Sequence, residues 1–141
     1  MKKRFVTILL LLSLILSIFT ASAGAESRAS DYINSVWAEA SAGSSRGKLN
    51  VTYSVASDAQ GITKIGVSKI TVYNADRSFY RSFTGTTANG LIKTSGTYTY
   101  GTYTIQCEPS MTYYCMVEFI VQNANGSATA TRTTSTIRTP A

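Results

Sequence analysis

Lys48-Leu49-Asn50-Val51-Thr52-Tyr53-Ser54-Val55 alternates polar and apolar residues at every position. Leu49, Val51, Tyr53 and Val55 share one phase, and Lys48, Asn50, Thr52 and Ser54 the other, which is the period-two pattern of a strand with one face on a core and one in water. A second run repeats it: Cys115, Val117, Phe119 and Val121 alternate with Met116, Glu118 and Ile120. Its outer phase is only partly polar, so this strand is expected to be a central one.

Working outward from these two runs, short segments rich in β-branched and aromatic residues alternate with turn chemistry. Ile65 and Val67 lie in one phase and Ile70 and Val72 in the other, so the shift at Ser68-Lys69 predicts a bulge or two short strands. Asn74-Ala75-Asp76 and Asn89-Gly90 read as turns flanking a short strand at 78–83. Across 96–107 the aromatic phase changes from Tyr98 and Tyr100 to Tyr103, Ile105 and Cys107, and Gly101 at the change predicts a bulge or bend. Asn123-Ala124-Asn125-Gly126 supplies a hairpin turn into the threonine-rich run 127–138, which has little apolar area and reads as an edge strand. Within 31–41, Tyr32, Ile33, Val36, Trp37 and Ala40 fit a helical stripe as well as a strand; the reading taken is a strand. About seven to nine strands spaced by about 8 to 12 residues predict an all-β fold, an antiparallel two-sheet sandwich.

The N-terminus is of a different kind. Lys2, Lys3 and Arg4 precede an almost unbroken apolar run over 5–19, and Ala21-Ser22-Ala23-Gly24-Ala25 offers small residues for cleavage. This is the layout of a secretory signal peptide helix, expected over residues 1–25, with cleavage after Ala23 or Ala25. The alternative, an uncleaved anchor, uses the same apolar stretch, which approaches the roughly 20 residues that span a bilayer. No second apolar segment follows, so the expected product is a single β-sandwich domain at 26–141, released outside the cell and free of the membrane. Three of the thirteen basic residues leave with the leader and all seven acids stay, which leaves the mature chain at +3. Its basic residues are scattered along the chain and not clustered, so no nucleic-acid partner is expected. The two cysteines, Cys107 and Cys115, in an exported chain predict one disulfide.

The run Tyr113-Tyr114-Cys115-Met116-Val117-Glu118-Phe119, followed by Asn125-Gly126-Ser127-Ala128-Thr129-Ala130, resembles the last two strands of immunoglobulin-like domains. In that family a tyrosine stands two residues before the cysteine of strand F, and its hydroxyl bonds to nearby backbone to form a tyrosine corner. The resemblance puts Tyr113 in that role and points Tyr114 outward. It covers about 20 to 25 residues. Two of the family's marks are absent: 48–55 holds no cysteine and the segment near 70–73 no tryptophan. The chain is accordingly similar to the wider group that includes fibronectin type III and small secreted bacterial domains, which implies a binding, adhesion or spacer role.

The chemistry available points the same way. The chain has no histidine, which removes the commonest general base and metal ligand together with Ser-His and Cys-His nucleophile pairs. Its acids are dispersed, Asp58 and Asp76 lie in turn contexts, and Glu118 reads as a solvated outward residue in phase with Met116 and Ile120. No catalytic residue, metal or cofactor is expected. Nine tyrosines are the feature best suited to recognition. Tyr98 and Tyr100, with Tyr80 on an expected neighbouring strand, are the candidate ligand-binding residues, because exposed aromatics interleaved with threonine can stack on sugar faces or anchor a protein. The competing reading packs Tyr98 and Tyr100 across strands, with Tyr103 and Ile105 in the core. The expected function is a secreted, non-catalytic, monomeric binding module for an extracellular glycan or protein surface. The alternatives are an interaction protein that pairs through the exposed edge at 127–138, or a small secreted toxin or inhibitor.

Overall fold

The computed structural model describes residues 32–141, so the signal-peptide reading of 1–25 and the choice of cleavage site lie outside the described residues. Nine strands follow one another: β1 Ser35–Ala42, β2 Lys48–Ala56, β3 Ile62–Asn74, β4 Phe79–Thr84, β5 Ile92–Lys93, β6 Tyr98–Gln106, β7 Thr112–Asn123, β8 Gly126–Thr133 and β9 Ile137–Arg138. All pairings are antiparallel, and no helix occurs among the described residues. One sheet has the order β1-β2-β6. The other has the order β4-β3-β7-β8, with β5 adding to β3 beside β4 and β9 adding to β7 beside β8. Within 31–41 the described residues form a strand from Ser35 onward, with Tyr32, Ile33 and Asn34 outside it, and the all-β two-sheet sandwich is the fold.

The alternation in sequence sets which face of each sheet is inside. Leu49, Val51, Tyr53 and Val55 of β2 are buried while their neighbours are half-exposed, and Tyr113, Cys115, Val117, Phe119 and Val121 of β7 are buried completely. β7 lies between β3 and β8, the central place its half-apolar outer phase predicts. Between the sheets these side chains meet Ile65, Val67, Ile70 and Val72 of β3, and Ile105 of β6. Phe119 and Leu49, both fully buried, each contribute about 1.5 to 3 kcal/mol of transfer free energy.

The phase shift in β3 is a bulge at Ser68. Val67 pairs with Phe119 and Lys69 with Glu118, so Ser68 is the extra residue, and its hydroxyl donates to the Glu118 carbonyl at 3.0 Å. The bulge keeps Ile65, Val67, Ile70 and Val72 all facing the core. Gly101 behaves otherwise than expected: β2 and β6 pair without a break from Lys48–Gln106 to Ala56–Tyr98, and Gly101 sits opposite Tyr53 in unbroken register. Tyr98 and Tyr100 lie in the outward phase with Thr102 and Thr104, and Tyr103 and Ile105 in the inward one, with no break in the alternation between them.

The chain between β4 and β6 decides the outline of the smaller sheet. It folds back over β3, where the Gly85 N–H donates to the Ser68 carbonyl and the Val67 N–H to the Leu91 carbonyl, each at 2.8 Å. Leu91 and Ile92 are buried beneath it. This connection therefore joins the larger sheet, and β6 ends the smaller one.

Candidate ligand-binding face

The outer face of β1-β2-β6 carries three of the exposed aromatic side chains among the described residues, Trp37, Tyr98 and Tyr100. The registers align four rows across the three strands: Ser35–Ala56–Tyr98, Trp37–Ser54–Tyr100, Glu39–Thr52–Thr102 and Ser41–Asn50–Thr104. All of these point outward, because the opposite phase of each strand fills the core. Trp37 is 45% exposed, Tyr98 57% and Tyr100 59%. Exposures of that size set aside the reading in which Tyr98 and Tyr100 are covered by cross-strand packing.

The middle strand contributes only Ser54 and Ala56 between these rings, so the face is a shallow trough with aromatic sides. Trp37 and Tyr100 stand two strands apart, about 10 Å, and Tyr98 and Tyr100 two residues apart on one strand, about 7 Å. Next to the aromatic end lies a polar strip. Thr52 and Thr102 share a hydrogen bond between their hydroxyls at 3.0 Å, and the Thr104 hydroxyl donates to Asn50 Oδ1 at 2.8 Å. Glu39 is exposed at the edge of the same strip. Aromatic faces beside hydroxyl, amide and carboxylate groups can stack on the C–H face of a sugar while accepting and donating to its hydroxyls.

Sequence reasoning passed over Trp37, having placed it among residues that could form a helical stripe. The signal was nevertheless present: Val36, Ala38 and Ala40 form the inward phase, which leaves Trp37 in phase with Ser35, Glu39 and Ser41.

Tyr80 is not a neighbour of Tyr98 and Tyr100. It lies on β4, which pairs with β3 in the other sheet. The pairing of Val72 with Arg81 and of Tyr73 with Phe79 skips Tyr80, and this bulge turns its half-buried ring onto Tyr113, with centroids 4.9 Å apart. Three residues on, Phe83 turns inward against Tyr103 at 5.5 Å. Tyr80 also lines a cleft of about 620 Å³ with Asn74, Asp76, Glu108 and Met111 at the far end of the sandwich. The turn accounts for Asp76 there: its carboxylate accepts from the Ser78 hydroxyl at 2.6 Å and the Ser78 N–H at 2.9 Å, which hold it below the usual carboxylate range.

Tyr113 is fully buried, and its hydroxyl accepts from the Glu108 N–H at 3.3 Å. Burial, opposed by this bond, pushes the phenol up to about 12. The Glu108 carbonyl in turn accepts from the Thr139 hydroxyl at 2.6 Å, so the turn before β7 is tied to the C-terminal segment. Tyr114, in the opposite phase, stacks on Tyr73 on the outer face at 5.3 Å.

The expected disulfide is absent. Cys107, just past β6, and Cys115, on β7, belong to opposite sheets, and both are buried free thiols beyond bonding distance of one another. Burial pushes both thiols above their ordinary range, Cys115 to about 12, with Cys107 adding to the effect on Cys115. Among the described residues no three histidine, cysteine or acidic side chains gather in a way that could hold a metal ion.

No protein-family model, no curated protein and no solved structure matches the chain.

Proposed function

We propose that the protein is an exported, non-catalytic binding module that recognises a glycan on the outer face of β1-β2-β6. One observation carries the reading: Trp37, Tyr98 and Tyr100 are exposed together on one face around the small residues Ser54 and Ala56. Large aromatics left in water cost hydrophobic free energy that a ligand recovers, and a group of them beside hydrogen-bonding side chains is a recognition surface more than a packing accident. The leader at 1–25 supports an extracellular setting.

The strand order supports an immunoglobulin-like or fibronectin-type sandwich. β1, β2 and β6 take the places of strands A, B and E in one sheet, and β3, β7 and β8 those of C, F and G in the other. Tyr113 stands two residues before Cys115 near the start of β7, with its hydroxyl on the backbone five residues back, as in a tyrosine corner. Modules of this architecture bind through faces and loops of a rigid scaffold, which suits a site built wholly on strands.

The test is binding of the purified protein to an array of glycans that includes bacterial wall and mucin fragments. Reproducible binding that disappears in Tyr98→Ala/Tyr100→Ala but survives Phe79→Ala, an exposed aromatic on the other sheet, supports the proposal. A silent array, or binding insensitive to the tyrosine pair, counts against it.

A further inference from the structure

We infer that β6 is a dimerisation edge, through which two copies of this chain join their three-stranded sheets into one six-stranded sheet. Pairing with β2 uses the N–H and C=O groups of the odd-numbered residues of β6: the Cys107 N–H donates to the Gly47 carbonyl, and the Ser57 N–H to the Thr97 carbonyl, in the same register. The backbone groups of Tyr98, Tyr100, Thr102, Thr104 and Gln106 therefore point to the free side. Among the described residues no hydrogen bond reaches them.

Proteins guard such edges with charge, proline or irregularity. The other outer strands obey this: β1 has Glu39, β4 has Arg81 and a bulge, β5 has Lys93, β8 has Arg132 and β9 has Arg138. β6 has none of these. Tyr98-Thr99-Tyr100-Gly101-Thr102-Tyr103-Thr104-Ile105-Gln106 is uncharged, lacks proline and runs in unbroken register. The threonine-rich strand β8, expected from sequence to be the open edge, is less suited to pairing, since Arg132 stands in it.

The sequence of β6 favours a second copy as the occupant. An antiparallel pair about a two-fold axis at Thr102 sets Thr102 opposite Thr102 of the other copy, Tyr100 opposite Thr104 and Tyr98 opposite Gln106. All of these residues have free backbone groups, which together form about ten hydrogen bonds. The outward pairs are Thr–Thr, Tyr–Thr and Tyr–Gln; the first two are combinations that stabilise sheets, and no like charges meet. On the inner side Gly101 falls opposite Tyr103 of the other copy, and the space beside the glycine is already filled by Tyr53 of its own protomer. Closed two-fold pairing is the commonest form of self-association, and it leaves no further edge of this kind open. The monomer expected from sequence gives way to a dimer carrying the aromatic trough twice on one continuous face. The inference does not depend on what that face binds.

Analytical ultracentrifugation of the protein recovered from the medium of expressing cells, over a concentration series, tests it. The wild type is expected to shift from monomer to dimer with rising concentration. Thr102→Pro removes an N–H that makes no bond within the protomer, and it is expected to remain monomeric throughout with an unchanged circular dichroism spectrum. Thr102→Lys, which places two lysines on the axis, is expected to do the same and serves if the proline variant does not fold. Thr131→Lys on β8 is expected to leave the dimer intact. A wild type that stays monomeric at all concentrations, or a dimer that survives both Thr102 variants or is lost in Thr131→Lys, overturns the inference.

Discussion

Tyr53 stands directly opposite Gly101 in the β2–β6 register, and its phenol fills the space that a side chain at position 101 would need. A Cβ there would come within 2.7 Å of the Tyr53 hydroxyl and 3.0 Å of the ring carbon that bears it. Tyr53 is nearly fully buried, and its hydroxyl donates to the Gly90 carbonyl at 3.4 Å. The glycine is thus required by packing and not by a bend. Gly101→Val, although valine favours strands, should destabilise the protein by about 1 to 3 kcal/mol through overpacking, read by urea unfolding. A neutral or stabilising result would mean that Tyr53 has another place to go.

The division between core and face aromatics gives a second expectation. Phe119→Ala should cost about 3 to 5 kcal/mol, because it opens a cavity at the centre of β7. Tyr98→Ala and Tyr100→Ala should each change stability by no more than about 0.5 kcal/mol. Unfolding curves of the three variants check this; a large loss at Tyr98 or Tyr100 would make those rings structural and deprive the recognition face of its basis.

Burial of Cys107 and Cys115 as separate thiols predicts slow chemistry. With both thiols pushed above their ordinary range, iodoacetamide at pH 8 should label neither in the native protein and both once it is denatured without reductant, as read by mass. No labelling in denaturant would reveal a disulfide and contradict the arrangement described.

Alkaline stability follows from the same burial. The Tyr113 phenol is raised in the folded protein from 10.0 to about 12, and the Tyr53 phenol and both thiols are raised as well. A raised folded value means that the neutral form is favoured by folding. The stabilisation is complete below the unfolded values and is lost as pH rises through the folded ones. Stability should therefore fall between about pH 9 and pH 12, and Tyr113→Phe should make the fall shallower above about pH 10. An identical pH profile in the variant would show that Tyr113 ionises equally easily in both states.

Much of this architecture is legible in the chain itself, for local reasons. β2 and β7 follow from strict alternation, and the Ser68 bulge from the phase change between Val67 and Ile70, because burial on one face must be kept along a strand. What is not legible depends on pairings distant in sequence. Tyr80 and Tyr98 are separated by a connection that folds over β3, so nearness in sequence does not place them in one sheet. Gly101 looks like a bend because Tyr98 and Tyr100 are as apolar as core residues; only the position of Tyr53 on the next strand shows otherwise. Trp37 misleads because it fits a helical stripe with Tyr32, Ile33, Val36 and Ala40, while in the strand Val36, Ala38 and Ala40 take the inward phase. The open edge of β6 is likewise a property of strand order, invisible until β5 is seen to join the other sheet.

Trp37 is the chain's only tryptophan, so its fluorescence reports on the proposed face without interference from any other indole. Titration of the protein with soluble bacterial-wall and mucin glycans should give a saturable change in intensity or emission maximum, and Tyr98→Ala/Tyr100→Ala should abolish it. Emission that stays at the exposed-indole value throughout, or a change that persists unaltered in the double variant, would contradict recognition by this face.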